Sequence, residues 1–344
     1  MGILRWGLWS VARAVWPTGL IGETVVGFAR GCEMFRGKLN LAVLVLAVVG
    51  LGTWPAGAAE APQRVSFQSS DGVTIVGDYY GPASAEGRKA PIVILLHMYP
   101  SDRTSWRGFA PKLAGAGLAA LAIDMRGHGE SVKPAEKKLA SRRENRDPRL
   151  YRAMYRDVAA AYTWLSQQPN VDPARFAIVG ASIGCSVAID YARRDRSVDV
   201  VACLSPGTNY LGVNTVAHIK AYGNRPILLV ASDLEQSACR TLAGLTPGAT
   251  VKIYPAAGRT RLAVHGTNLL SAVREVEPLL LEFVRTHVGD PSDQPVVASI
   301  HSNVFHQPDS PTVRRIKPAN LRWFSSAAEA RARGLRPPRR WRPP

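Results

Sequence analysis

A Gly-x-Ser-x-Gly motif at residues 180 to 184 constrains the fold more than any other part of the sequence. The apolar run Phe176–Val179 precedes it and apolar residues return at helical spacing after it, which predicts a buried parallel strand, a tight turn and a helix. Side chains two residues before and after the turn would collide, so Gly180 and Gly184 are needed there. A non-catalytic turn before a buried helix would give a similar pattern. The flanking strand and helix favour a nucleophile elbow that presents the Ser182 hydroxyl near helix N–H groups.

Apolar runs and helix-like stretches alternate through the rest of the chain, after an opening hairpin with its turn at Asp71–Gly72. This alternation predicts an α/β fold: a mostly parallel, doubly wound sheet with helices on both faces. About ten residues separate Leu204 from the next helix, so we expect no large cap domain and an open site. The expected strands after the hairpin are 91–96, 118–123, 176–179, 198–204, 227–231 and 251–254, and the expected helices are 105–116, 149–168, 183–194, 214–222, 236–245 and 267–287.

The loop that begins at His97, after the third expected strand, is placed to face Ser182. A tetrahedral oxyanion needs two preorganised donors, usually the N–H after the nucleophile and one N–H from this loop. The backbone N–H groups of Ile183 and Tyr99 are therefore the predicted donors. We expect His97 to anchor the turn, and Asp124, which opens the loop after the fourth strand, to support the site from beneath.

A serine hydroxyl needs a general base, and the base needs an acid that fixes its tautomer. Of the seven histidines, His265 is the predicted base, because it follows the last strand and opens a long amphipathic helix. The acid is expected at the end of the preceding strand, where both Glu235 and Asp233 are within reach. Glu235 is the first choice and Asp233 the alternative.

Further motifs accompany this pattern: His97-Met-Tyr-Pro with Trp106, Asp124-x-Arg-Gly-His-Gly-Glu-Ser, and His265-Gly-Thr. With these motifs, residues 63–288 resemble an α/β-hydrolase of the dienelactone-hydrolase-like or serine-esterase type. The resemblance implies a serine hydrolase that cleaves small esters or related acyl compounds through an acyl-enzyme, with the triad in the order Ser, acid, His. It implies no cofactor and no catalytic metal.

The sequence departs from this family's pattern at several places. Relatives commonly have Asp where Glu235 stands, and Met98 replaces a glycine often found after the loop histidine. Dienelactone hydrolases use a cysteine nucleophile, so Ser182 argues against that particular reaction. Cys185 lies three residues further on and is not expected to substitute. It is expected, like Cys203 and Cys239, to be a small buried hydrophobe.

The N-terminal region predicts export. Residues 34–58 combine Arg36 and Lys38, an apolar run over 41–51, and Ala-Gly-Ala ending at Ala58, which are the three regions of a signal peptide. We expect cleavage near Ala58, a periplasmic or secreted product and no stable transmembrane anchor, since the run is too short to span a bilayer. Residues 1–33 are interpreted as a mis-called extension before a true start at Met34. A membrane-surface segment built on the tryptophans of residues 6–16 is the alternative.

The C-terminal region is strongly basic. The net charge of the chain is +17, and residues 311–344 carry nine Arg and one Lys against the single acid Glu329, a net +9. After an expected linker over 289–300, residues 301–344 resemble the zinc-binding module of the adaptive-response DNA methyltransferase. The four ligand places of that module hold His306, Ser310, Pro338 and Trp341, so we expect that the metal has been lost.

Without a metal, this segment should have little core and should contribute little to stability. An unrelated, partly disordered basic tail is the alternative. We expect weak contact with polyanions and no sequence-specific binding of nucleic acid. A second hypothesis for the whole chain is a catalytically inactive scaffold whose tail binds anionic polymers.

Overall fold

The structure is a computed structural model, and it describes residues 61–83, 89–289, 296–308, 310–324 and 326–338. The predicted signal peptide and the residues before it lie outside these ranges. Within them, no helix is both long enough and apolar enough to cross a bilayer.

The larger sheet of the structure has eight strands in the order β1-β2-β4-β3-β5-β6-β7-β8. β1 pairs with β2, and β2 with β4, in antiparallel fashion, and every other neighbouring pair is parallel. The predicted opening hairpin and mostly parallel sheet are therefore confirmed. The strands are β1 (Gln63–Gln68), β2 (Thr74–Tyr80), β3 (Ala90–Leu96), β4 (Ala119–Ile123), β5 (Val171–Ala181), β6 (Val198–Leu204), β7 (Ile227–Ser232) and β8 (Ala249–Tyr254).

Helices cover both faces of this sheet, as a run of apolar strands requires, because β3 and β4 are buried along their whole length. One hydrophobic core lies under α1, α8 and α9, and the other under α3 to α7. The helices are α1 (Ala110–Gly115), α2 (Leu139–Glu144), α3 (Pro148–Arg152), α4 (Tyr155–Ser166), α5 (Ile183–Arg194), α6 (Thr215–Tyr222), α7 (Gln236–Ala243), α8 (Asn268–Ala272) and α9 (Val276–Val288).

Two long predicted helices are each divided in the structure. The stretch 267–287 becomes α8 and α9, because Val273 adopts an extended conformation and is buried in the core with Val276. The helical spacing of apolar residues continues through this point in the sequence, but burying both valines breaks the helix. The stretch 149–168 similarly becomes α3 and α4. The short helix α2 was not predicted, since its one buried side chain, Leu139, leaves no apolar period to detect.

The register of the central strands decides where the site forms. Leu96 on β3 pairs with Gly180 on β5, and Gly180 pairs with Cys203 on β6. The residues that follow these strands, His97, Ser182 and Ser205, therefore emerge at the same edge of the sheet.

The C-terminal segment has a small core of its own, although the sequence predicted little core there. β9 (Val296–Ser299) lies between β10 (Phe305–His306) and β11 (Leu321–Phe324) in an antiparallel sheet. Ser326 caps α10 (Ala327–Ala332) by accepting a hydrogen bond from the Glu329 N–H. The predicted linker over 289–300 is too long, because Val296 and the next residues of β9 are buried in this core. The core consists of Val296, Ala298, Phe305, Phe324, Ala327, Ala330 and Leu335.

Candidate active site

Ser182 occupies the tight turn between β5 and α5. Its backbone has φ 52° and ψ −114°, a conformation that residues other than glycine rarely adopt. The residue is 3% exposed, and its N–H donates to the Leu204 carbonyl at 2.8 Å. Strain of this kind persists only where the surrounding structure enforces it, and it is common at functional sites.

The two motif glycines are required by close backbone approaches. A Cβ at Gly180 would lie 2.5 Å from the carbonyl carbon and oxygen of Gly184. A Cβ at Gly184 would overlap the Leu96 carbonyl oxygen and lie 2.9 Å from that of His97. The start of α5 therefore packs directly against the end of β3, which brings the nucleophile turn to the loop after β3.

Replacing Gly184 with alanine is expected to lower the free energy of unfolding by more than about 2 kcal/mol, because backbone at the end of β3 cannot yield to the new methyl group. Urea denaturation measures the effect. Gly115 is the matched control, since a Cβ there meets nothing within 4 Å. Gly115→Ala should change stability by less than about 1 kcal/mol. Equal losses in the two variants would contradict the packing argument.

The start of α5 and the loop after β3 each offer a backbone N–H as an oxyanion donor. Ile183 is the first residue of α5, so its N–H has no partner carbonyl within the helix. The Tyr99 N–H makes no hydrogen bond to another described residue. The Tyr99 ring packs edge-on against His128 at 5.9 Å and Tyr151 at 6.4 Å between ring centroids, which holds this part of the loop in place. Both predicted oxyanion donors are thus available, and their role stays a prediction.

His97 anchors the loop after β3. Its Nδ1 donates to the Met98 carbonyl at 2.9 Å, and its Nε2 accepts from the Met125 N–H at 3.0 Å. The ring is fully buried, and burial lowers the pKa of His97 to about 4. A proton on Nε2 would face the Met125 N–H, so the folded loop requires the neutral ring.

Acid should destabilise this region. Burial and the neighbouring His97 ring lower the pKa of His128 to about 3, against an ordinary value of 6.5. Both folded-state pKa values are depressed, so the unfolded chain binds protons first. The stability that the two neutral rings contribute is fully present above about pH 6.5. It is lost as the pH falls toward the pKa values of the folded state, by up to about 1.4 kcal/mol per pH unit for each ring.

Urea denaturation between pH 7 and pH 5 measures this dependence. Burial raises the pKa of Asp157 to about 6, which opposes the histidine effect, so a comparison of variants isolates it. His128→Gln should flatten the pH dependence, whereas His301→Gln, at an exposed position, should leave it unchanged. An unchanged slope in the His128 variant would contradict this account.

Asp124 supports the site from beneath. Its carboxylate accepts hydrogen bonds from the Arg103 and Glu130 N–H groups, both at 2.8 Å, and forms a buried ion pair with the Arg103 guanidinium. A Cβ at Gly129 would overlap this carboxylate. Asp124 therefore ties the loop after β4 to the loop after β3.

The structure brings Glu235 onto His265. Nδ1 of His265 lies 2.8 Å from Oε1 and 2.9 Å from Oε2 of Glu235. Burial raises the pKa of the Glu235 carboxyl, but hydrogen bonds from His265 and Arg261 outweigh it and place this pKa below its ordinary value. Asp233 is exposed and instead accepts from the Ala256 N–H at 3.0 Å. Of the two acids considered, Glu235 is the one in contact with the histidine.

The turn after His265 is fixed from two sides. Gly266 has φ +55°, and a Cβ there would lie 2.6 Å from Sδ of Met98. Its N–H donates to Oγ of Ser205 at 3.0 Å. Met98 belongs to the loop after β3 and Ser205 follows β6, so these contacts hold the histidine turn at the edge of the sheet where Ser182 emerges. Ser205, a lone serine before a proline, could not be identified from the sequence.

Cys185 is not placed to act as a nucleophile. Its thiol lies 3.2 Å from the Gly180 carbonyl oxygen and 3.3 Å from that of Leu204, and it is fully buried. Burial raises the pKa of this thiol well above its ordinary value. Cys203 and Cys239 are also buried, free thiols, so all three described cysteines are the small core residues that the sequence predicted.

A groove of about 270 Å³ opens beside this site, between the loop after β3 and helix α8. Met98 and Thr267, which are next in sequence to Tyr99 and Gly266, stand at its wall. Hydroxyl and amide side chains make up half of its lining. The lining residues are Met98, Ser101, Ser105, Gly108, Phe109, Thr267, Asn268, Leu270, Ser271 and Glu277.

Few residues of the C-terminal segment support its resemblance to the zinc-binding module. His306 lies on β10, and burial lowers its pKa. Ser310 and Pro338 are described, whereas Trp341 lies outside the described residues. In the described part of the chain, no cluster of three or more His, Cys, Asp or Glu side chains could hold a metal ion.

Comparison with known proteins finds similarity to an esterase family over part of the chain. The model of the acetyl xylan esterase family matches residues 58–224. An uncharacterized protein of Mycobacterium tuberculosis is 32% identical over 157 residues, which cover 45% of this chain and 50% of that protein. The chain thus matches about half the length of this curated relative.

Solved structures share the fold. The α/β hydrolase GrgF of a Penicillium species aligns with a TM-score of 0.54 and 14% identity, over 67% of this chain and all of that one. The dienelactone hydrolase of Anabaena variabilis aligns with a TM-score of 0.51 and 21% identity, with the same coverage. The predicted α/β-hydrolase fold is therefore confirmed, and the residues that the structure describes include no large cap domain.

Proposed function

We propose that this chain, which has the α/β-hydrolase fold, is a serine hydrolase that cleaves esters through an acyl-enzyme. The observation that carries the proposal is the contact of 2.8 Å between Glu235 and His265, held at the sheet edge where the strained Ser182 emerges. An acid that fixes the tautomer of a histidine beside a serine is the arrangement that activates a hydroxyl nucleophile.

In this mechanism, Oγ of Ser182 attacks the acyl carbon while Nε2 of His265 takes the hydroxyl proton. Glu235 accepts a hydrogen bond from Nδ1 and stabilises the imidazolium that forms. The N–H groups of Ile183 and Tyr99 donate to the developing oxyanion. His265 then gives its proton to the departing alkoxide oxygen, and a water molecule activated by the same ring hydrolyses the acyl-enzyme.

We propose esters with a short acyl group and a polar alcohol as the substrate class. The match to the acetyl xylan esterase family supports a small acyl group. The groove beside the site supports a polar alcohol, because Ser105 and Ser271 donate to backbone carbonyls and so keep their lone pairs free for a hydroxylated ligand. The serine nucleophile and the Ser-His-Glu arrangement fit an ester rather than the dienelactone reaction.

Two measurements test this function. A fluorophosphonate probe should label the folded protein at Ser182, and hydrolysis of chromogenic esters of graded acyl length should be fastest for acetate or propionate. Failure to label would refute the serine mechanism. Labelling with a preference for long acyl chains would refute the substrate class alone.

The alternative of a catalytically inactive scaffold predicts an acid too far from His265 to orient it. The contact between Glu235 and His265 favours the enzyme. No observation in the described residues favours the scaffold.

We also propose that the protein is exported, with cleavage near Ala58. This proposal rests on the charged, apolar and small-residue regions of residues 34–58. N-terminal sequencing of the protein from its own cells should begin near Ala59. A cytosolic product that keeps residues 1–33 would contradict both export and the proposed start at Met34.

The C-terminal segment is proposed to bind polyanions weakly, through charge. Its core is separate from the two cores of the hydrolase part, and Trp323 is 58% exposed and available for stacking. Glu329 forms an ion pair with Arg333 at 3.9 Å. The exposed cationic residues described in this segment are Arg314, Arg315, Lys317, Arg322, Arg331, Arg333 and Arg336.

Truncation after Gly289 should lower retention on heparin at low salt, while ester hydrolysis and the melting temperature stay close to those of the full chain. Retention of the full chain should fall steeply as salt rises, because binding by charge releases counterions. Collapse of the truncated enzyme, or stoichiometric zinc in the full chain, would contradict this interpretation of the segment.

A further inference from the structure

Two consecutive residues at the end of β6, Leu204 and Ser205, hold the turns that carry Ser182 and His265. The Leu204 carbonyl accepts the Ser182 N–H at 2.8 Å, which fixes the nucleophile turn. One residue later, Oγ of Ser205 accepts the Gly266 N–H at 3.0 Å, which fixes the turn that follows His265. The Ser182 turn and the turn after His265 are thus held by consecutive residues at the end of β6.

Ser205 has a backbone conformation that needs an explanation. Its φ is +54°, in the left-handed region, where a residue other than glycine is strained by about 1 kcal/mol or more. Its N–H donates to the Val230 carbonyl at 2.7 Å, which extends the pairing of β6 with β7, and the residue is 3% exposed. Glycine would fit this backbone with less strain, so the backbone does not call for a serine, and the contacts of its hydroxyl are the feature to explain.

The Ser205 hydroxyl serves the acid as well as the histidine turn. Burial raises the pKa of Glu235, and hydrogen bonds from His265, Arg261 and Ser205 lower it. One hydroxyl can accept from the Gly266 N–H through a lone pair and donate its own proton to the carboxylate. The same hydroxyl can therefore serve both the acid and the backbone next to the base.

We infer that Ser205 is a positioning residue that holds Glu235 and His265 in register with Ser182. The inference rests on the proposed function, because it assigns Ser205 no contact with the substrate. Loss of the hydroxyl leaves the buried Gly266 N–H without its acceptor and loosens the turn that carries the base. Displacement of a catalytic group by about 1 Å can slow the chemical step about 100-fold.

The test compares Ser205→Ala and Ser205→Gly with the full-length wild type. Both variants should lower kcat by about 10- to 100-fold and should slow fluorophosphonate labelling in proportion. KM should change by less than about twofold, since substrate contacts remain. The glycine variant relieves the backbone strain, so it should melt at a higher temperature than the alanine variant and yet be as slow. A purely structural role would restore kcat together with stability in the glycine variant.

Ser131→Ala is the matched control. Oγ of Ser131 accepts a backbone N–H, that of Val76, at 2.8 Å, and the residue is fully buried. This substitution should lower the melting temperature as Ser205→Ala does and leave kcat unchanged. Wild-type kcat in Ser205→Gly would overturn the inference alone. A wild-type protein that neither labels nor hydrolyses esters would overturn the proposed function, and the inference with it.

Discussion

Ser182→Ala is expected to lower kcat/KM for a chromogenic acetate ester by at least about 10⁴-fold, because the nucleophile and the base act as a unit. Residual hydrolysis should come from the oxyanion donors and from binding alone. The variant should also lose fluorophosphonate labelling. Its melting temperature should not fall, since alanine removes one hydroxyl from a turn whose backbone contacts stay in place.

Cys185→Ala provides the control for this first result. The thiol lies one helical turn from Ser182, but it is buried and directed at backbone carbonyls. The variant should keep labelling and kcat/KM within about threefold and should lose a modest amount of stability, as expected for removal of one buried sulfur atom. Activity that survives Ser182→Ala but not Cys185→Ala would identify the thiol as the nucleophile.

Glu235→Gln is expected to lower kcat by about 10³- to 10⁴-fold, because an amide no longer stabilises the imidazolium or fixes the tautomer of His265. Steady-state kinetics at neutral pH measure this loss. Glu235 has a depressed pKa, so its carboxylate is ionised in the wild type at neutral pH, where the comparison is made.

Asp233→Asn is the matched substitution on the same turn. Asp233 accepts a hydrogen bond from the Ala256 N–H, and the amide oxygen of asparagine can keep that bond. Its kcat should stay within about tenfold of the wild type. A larger loss in the Asp233 variant than in the Glu235 variant would exchange the roles of the two acids.

Most of the sheet and the nucleophile turn could be predicted from the sequence, because strong local signals specify them. The strands β3 and β7 stand out as apolar runs, and the steric need for Gly180 and Gly184 follows from the turn itself. The structure shows the backbone contacts that impose this need. Local pattern was sufficient wherever one segment determines its own conformation.

Local pattern was insufficient where the site depends on segments far apart in sequence. The choice between Glu235 and Asp233 required the distance to His265, 30 residues further along the chain. Ser205 could not be found, because its importance lies in a hydrogen bond to Gly266, 61 residues away. The break between α8 and α9 likewise depends on which valines the completed core buries.

The three buried thiols have a consequence for biogenesis. A chain that folds after export meets an oxidising environment, in which exposed thiolates form disulfides. In the folded protein, Cys185, Cys203 and Cys239 are inaccessible, and burial raises the pKa of the Cys185 and Cys239 thiols. Under the proposed export, the same residues would be unprotected during translocation. Folding would then have to bury these thiols before an oxidase reaches them, and the yield of folded protein would depend on the relative rates of folding and disulfide formation.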